Sequence, residues 1–286
     1  MRRETFSTPG PVRLDLELPA GVIEIETADI EETRVELEAS SGKEQVQEMV
    51  EDARIDSTRR GDVYEVTVAV RTRHGVWISF SRGPDIRLGT PDMRLRIVCP
   101  KGAAIDARTK SADLRAVGEY GNVDFKTAAG DVAVDAAGDA FVKSASGDVH
   151  IETVSGSLDV KTVSGDVHVT SVARGTTVQT VSGDVHILEN NGSVSASTVS
   201  GDQRYQAVVQ GRVELRAVSG DIALGIRRGS RVFIDANTVS GSTTSEFELS
   251  DAPQAPPDPD APLVEVFAKT VSGDVRVERA PAPTAA

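Results

Sequence analysis

A chain of 286 residues that is 39% hydrophobic is long enough for one large or two ordinary domains and has enough apolar side chains to pack a core. The apolar share is skewed toward Val and Ile, with 7 Phe, 3 Tyr, 1 Trp and 3 Met, which suits thin β layers better than a wide core filled by aromatics. Lys plus Arg total 31 against 44 Asp plus Glu, a net charge of −13, which argues against nucleic acid as a partner because phosphate binding needs a basic footprint.

In chain order, the opening MRRETFSTPGPVRLDLELPAG holds two arginines but no apolar signal-peptide run. No later stretch approaches the roughly 18 apolar residues of a membrane helix, so the expectation is a cytoplasmic chain with no direct membrane insertion. Val12, Leu14, Leu16 and Leu18 alternate with polar residues on one face of a strand, and Val22 to Ile25 and Val35 to Leu37 continue the pattern. Gly42 to Ala53 then spaces Val46, Met49 and Val50 at i, i+3 and i+4, which predicts a short amphipathic helix over residues 42–54. Val63 to Val70 returns to strand, and Arg71 to Leu88, with Trp77 and Phe80, reads as a hairpin or long loop. The single cysteine, Cys99, lies in the strand-like run Leu95 to Cys99 before Pro100, where a buried, inert thiol is expected; it permits no intrachain disulfide.

From about Ala103 the pattern changes to an internal repeat. Thr-Val-Ser-Gly recurs six times, ending at Gly156, Gly165, Gly183, Gly201, Gly241 and Gly273, with close variants ending at Gly130, Gly147 and Gly220. Successive strong copies at Gly147, Gly165, Gly183 and Gly201 are 18 residues apart, with weaker glycines about halfway, so the unit is about nine residues and the coil about eighteen. In Ser146 to Ile151 the Gly suits a tight corner, the Asp bonds nearby amides as in an Asx-type turn, and Val149 and Ile151 point inward while His150 points out. The same inward pair recurs as Leu158 and Val160, Val167 and Val169, Val185 and Ile187, and Ile222 and Leu224. Stacking of such units predicts an all-β, single-chain β-solenoid. Its expected parts are a strand region over 1–102 that continues or caps the solenoid, solenoid repeats over 103–278, and a disordered tail over 279–286. The Pro/Asp-rich stretch 251–262 cannot join a hydrogen-bonded ladder and reads as an ejected loop, after which Val264 to Val277 forms a last coil.

Two columns follow from the period. His150, His168 and His186 stack on one outer face about 4.8 Å apart, with Arg204 and Arg276 at equivalent positions. Imidazoles ligate zinc and titrate near neutrality, but an in-line column makes a poor tetrahedral cage, and repeat duplication accounts for it. Asp131, Asp148, Asp166, Asp184, Asp202, Asp221 and Asp274 each follow a repeat glycine. Stacked carboxylates about 5 Å apart repel by roughly 0.8 kcal/mol per neighbour in water, a cost that turn hydrogen bonds can offset. Calcium is the rival explanation, since calcium-binding β-rolls share the nine-residue unit and eighteen-residue coil, but they need a GGxGxD turn and each turn here has a single glycine. The metal candidates are therefore His150, His168 and His186 with Asp148, Asp166, Asp184 and Asp202, and the expectation is that no metal or other cofactor is bound.

Catalytic readings find little support. Ser, Asp and His recur in every SGDVH unit, but strand alternation aims Asp and His along a surface rather than into a triad. No GxSxG, phosphate-binding loop, dinucleotide fingerprint or HExxH is present. Paired carboxylates on a solenoid face acting on a polysaccharide are a third-ranked alternative.

The TVSGDV repeats behind the N-terminal TPGPVRLDLELPAG segment resemble the bacterial β-strand-repeat family known as "putative adhesin" (domain of unknown function 4097), over nearly the whole chain. That resemblance implies a β-solenoid and a link to cell-envelope or stress-response systems, and it carries no catalytic residues onto this chain. The expected function is a non-enzymatic scaffold that binds another protein or another copy of itself. An envelope-associated adhesin or ligand binder is the alternative.

Overall fold

The computed structural model describes residues 1–40, 44–70, 93–247 and 261–281. The expected loop over 71–88, with Trp77 and Phe80, and most of the Pro/Asp-rich stretch lie outside the described residues. The chain forms two compact units, Met1–Asp131 and Val132–Ala286.

The first unit contains β1 (Arg2–Ser7), β2 (Val12–Ala28), β3 (Glu32–Ala39), α1 (Glu44–Glu51), β4 (Arg54–Arg60), β5 (Val63–Ala69), β6 (Met93–Pro100) and β7 (Ala104–Lys126). The long β2 is its spine. It pairs in parallel with β7 from Arg13 beside Ala104 to Glu26 beside Val117. On its other edge its first half pairs with β5 and its second half with β6, both in parallel. Strand β6 then pairs antiparallel with β3, β3 with β1, and β5 with β4. The alternation read from the sequence holds, because Val12, Leu14, Leu16 and Leu18 are all buried, as are Ile23 and Ile25 further along β2. Helix α1 is shorter than 42–54 and buries Val46 and Val50, the i, i+4 pair of its apolar stripe.

The second unit is a stack of parallel strands. Strand β8 (Val132–Lys143) spans both sides of the stack, pairing through its first part with β9 (Val149–Val154) and through its second with β10 (Leu158–Lys161). Strands β11 (Val167–Val172), β13 (Val185–Asn190), β15 (Gln203–Val208) and β17 (Ile222–Ile226) continue the sheet begun by β9. Strands β12 (Thr176–Ser182), β14 (Val194–Ser200) and β16 (Gly211–Ser219) continue the one begun by β10. Neighbours align residue for residue, Val149 beside Val167 beside Val185. The inward pairs expected from the repeat are buried throughout, including Leu158 and Val160, Val167 and Val169, Val185 and Ile187, and Ile222 and Leu224. Each strand is too short to stand alone, and ladder bonds above and below together with the shared apolar interior hold it.

At the C-terminal end the stack departs from chain order. The remaining strands are β18 (Arg231–Ser240), β19 (Thr243–Ser245), β20 (Leu263–Ser272) and β21 (Val275–Arg279). Strand β20 lies between β16 and β18, and β21 between β17 and β19. The segment 263–279, expected as the last coil, is therefore next to last in space, and 231–245 closes the stack. The inward side chains explain the order. Val264, Val266, Ala268, Val275 and Val277 are buried and need cover on both sides. At the equivalent positions the outer rung has half-buried Val232, Ile234 and Ala236 on one sheet and exposed Thr243 and Ser245 on the other. The more polar segment takes the end that faces water, as a terminal repeat must. Two residues expected in a disordered tail are instead ordered: Arg279 is in strand, and Ala280 is buried with its N–H on the Ile226 carbonyl at 2.8 Å; residues 282–286 lie outside the described residues.

Candidate functional site

The inward side chains belong to the core, so any binding chemistry lies on the outward columns and at the corners. On the β9 sheet the outward column reads His150, His168, His186, Arg204, Ala223, Arg276 and Thr244. The structure thus brings the three predicted histidines together. His150 and His168 stack face to face with ring centroids 5.0 Å apart, and His186 meets His168 edge-on at 4.9 Å. Parallel rings direct their nitrogen lone pairs along parallel planes, so the first pair cannot converge on a single ion. Among the described residues no group of three or more His, Cys, Asp or Glu side chains is arranged to hold a metal. The His186 ring lies 3.2 Å from the Gln206 amide. Partial burial, then His168 and Arg204, lower its pKa below the ordinary histidine value.

The aspartates form a continuous hydrogen-bonded column along one corner. The Oδ1 atoms of Asp148, Asp166 and Asp184 each accept the backbone N–H of the next aspartate, Asp166, Asp184 and Asp202, at 2.8 Å. Asp202 accepts from Asp221 at 2.8 Å, Asp221 from Asp274 at 2.7 Å, and Asp274 from Ser242 at 2.7 Å. In the first unit Asp113 receives the N–H of Asp131 in the same way at 2.9 Å. The amide bound thus belongs to the next rung rather than to the local turn, so each carboxylate staples two rungs. The Ser242 amide draws the Asp274 carboxyl below the usual carboxylate range. The column ends where the repeat reads Ser-Gly-Ser instead of Ser-Gly-Asp, at the outermost rung.

Sequence reasoning missed one column. In the Thr-Val-Ser-Gly segments that end at Gly165, Gly183, Gly201 and Gly273 the threonine faces inward and the valine faces out, whereas in Thr153 to Gly156 Val154 is buried and Thr153 exposed. Thr162, Thr180, Thr198 and Thr270 are buried. Thr162, Thr198 and Thr270 donate their hydroxyls to corner carbonyls at 3.2–3.3 Å. The valines at this corner, including Val218 after Ala217 and Val239 after Thr238, are exposed: Val163 50%, Val181 45%, Val199 48%, Val218 50%, Val271 50% and Val239 82%. The signal was in the repeat, since the two-residue period carried back from an inward Thr puts the next Val outside. Cys99 is buried in the first unit, and burial pushes its thiol pKa up to about 12, the inert state expected of it.

Parallel strands stacked in register, with apolar inward columns and polar staples at one corner, define a solenoid-like all-β repeat protein. The chain belongs to the Toastrack DUF4097 family, whose model matches residues 13–278. Among solved structures it is similar to a "putative adhesin" from Bacteroides fragilis NCTC 9343, at 14% identity and a TM-score of 0.36, covering 97% of this chain and 96% of that one. A "putative cell adhesion protein" from Clostridium sporogenes ATCC 15579 matches at 11% identity and a TM-score of 0.32, covering 97% and 99%. A "putative lipid binding protein" from Parabacteroides distasonis ATCC 8503 matches at 9% identity and a TM-score of 0.26, covering 98% and 96%. No curated protein matches the chain.

Proposed function

We infer that the protein is a non-catalytic binding scaffold that uses its strand faces to hold another protein or further copies of itself. The observation that carries this reading is that the outward columns are regular, solvent-facing and not needed by the core, so they are free to vary toward a partner. Repetition of the same side chain on successive rungs suits an extended surface and not a reaction centre, where one nucleophile and one base suffice. In this reading the coil is eighteen residues, one nine-residue unit per sheet, the protein needs no metal or cofactor, and its compartment is the cytoplasm.

The test is affinity capture from native lysate with the wild type and with a His168→Glu, Arg204→Glu variant, both outward residues. A partner held by the wild type and lost by the variant at unchanged melting temperature supports the scaffold. Turnover of a polysaccharide in a reducing-end assay overturns the non-catalytic reading. Recovery of the native protein outside the cytoplasm overturns the compartment.

A further inference from the structure

On several rungs the corner column sits between residues of opposite charge. Two residues before the corner valine or alanine, the outward position holds Lys143, Lys161, Arg216 and Lys269. Three residues after it stand Asp148, Asp166, Asp221 and Asp274. Four rungs therefore present base, apolar residue and acid in that order across the corner, while the Val181, Val199 and Val239 rungs carry the neutral Gln179, Ser197 and Asn237 at the basic position. The register carries the order from rung to rung, with Arg216 beside Lys269 and Ser219 beside Ser272. Lys161 and Arg216 also meet acids of their own strands, Asp159 at 3.6 Å and Glu214 at 3.8 Å, both exposed pairs of little energetic weight. The six valines stack in the order Val163, Val181, Val199, Val218, Val271 and Val239, a row roughly 24 Å long at about 4.8 Å per strand. A continuous exposed apolar row rimmed by polar residues is a feature of an interaction surface and not of a solvated face.

We propose that this corner is a self-complementary interface that pairs two copies of the chain side by side, valine row against valine row. The charge order selects the arrangement. A twofold axis running along the row keeps every valine level with itself in the partner and sets the basic column of each copy against the acidic column of the other. An axis across the row would set acid against acid. The same patch serves both copies, as an isologous contact requires. The Asp carboxylates keep one oxygen on their staples and offer the other to the partner's lysine or arginine. This inference rests on the scaffold reading and names one of its partners as a second copy.

The experiment is light scattering of the full chain with three variants. The wild type is expected at twice the 30.2 kDa of one chain. Val181→Asp, Val199→Asp is expected at one chain mass with an unchanged melting temperature, since both sites are exposed. If that variant unfolds, Lys161→Glu, Arg216→Glu, Lys269→Glu decides, because it leaves the row intact and reverses one charged column; it too is expected at one chain mass. Val199→Cys, which meets itself on the axis, should form a disulfide dimer under oxidation, whereas Thr170→Cys on the other sheet should not. A monomeric wild type, or a dimer that survives both the valine and the charge variants, overturns the interface. A monomer that still captures a partner from lysate sinks this interface alone and leaves the scaffold reading in place.

Discussion

Gly183→Ala tests whether the corner column, and not only the apolar interior, holds the stack together. Gly183 has a φ of +143°, and a β carbon built on it would lie 2.2 Å from the carbonyl oxygen of Gly165 on the neighbouring rung. That oxygen is main chain held within the ladder, so it cannot swing aside as a side chain can. The disfavoured backbone costs about 1–3 kcal/mol and forcing extra volume into a packed site about 1–3 kcal/mol more. At about 2–4 °C per kcal/mol, a loss near 3 kcal/mol lowers the melting temperature by about 6–12 °C. Gly175 is the internal control, because its β carbon would meet nothing closer than the Ser193 carbonyl at 3.8 Å. There, Gly→Ala should leave stability unchanged or raise it by about 0.4–1 kcal/mol through the unfolded chain. Thermal melts followed by far-ultraviolet circular dichroism read both variants. Equal melting temperatures for G183A and G175A would refute the corner argument.

Val167, buried between Val149 and Val185, should not tolerate Asp: an unpaired carboxylate there costs several kcal/mol, and the melt should shift far down or lose cooperativity. At the staples, Asp184→Asn keeps the oxygen that receives the Asp202 N–H and relieves a repulsion of roughly 0.8 kcal/mol per neighbour, whereas Asp184→Ala gives up a bond of about 0.5–1.5 kcal/mol. The expected order of melting temperatures is therefore Asn at or above wild type and Ala below, unmoved by chelator; a chelator-induced drop restored by calcium would assign the column to a cation. His186 has a folded-state pKa below its unfolded value, so the folded state binds fewer protons and stability is lost as pH falls from the unfolded histidine range toward the folded pKa. His186→Gln should melt with less acid sensitivity than wild type between pH ~7.5 and ~5.5, on either side of the ordinary imidazole pKa; an identical pH profile would show that the column does not report on protonation.

The strand interior was legible because its signal is local. A two-residue alternation repeated with fixed spacing places Val149, Ile151, Val167 and Val169 inside without reference to any distant residue. The staples were half legible: Asp at every corner was plain, but the bonded amide lies on another rung, and a local turn was the nearer explanation. The valine row escaped because apolar residues were assigned inward and polar ones outward, whereas Thr162 and Val163 reverse that assignment once the Thr hydroxyl finds a corner carbonyl. The rung order escaped because Thr238 to Gly241 and Thr270 to Gly273 carry the same tetrapeptide, so nothing in the repeat itself says which lies next to Gly220.

That ambiguity bears on how the molecule is made. During synthesis 231–245 emerges while 263–279 is still missing, and the exposed edges of β16 and β17 are then open to it. The Asp221 carboxylate, which finally receives the Asp274 amide, can receive that of Ser242 in the interim. A chain truncated near Phe247 would therefore leave both of those edges open to 231–245, which carries the same tetrapeptide as the segment that finally covers them. In the full chain the observed order is favoured, because the strands that complete the interior are the more apolar ones and the partly polar rung is left facing water.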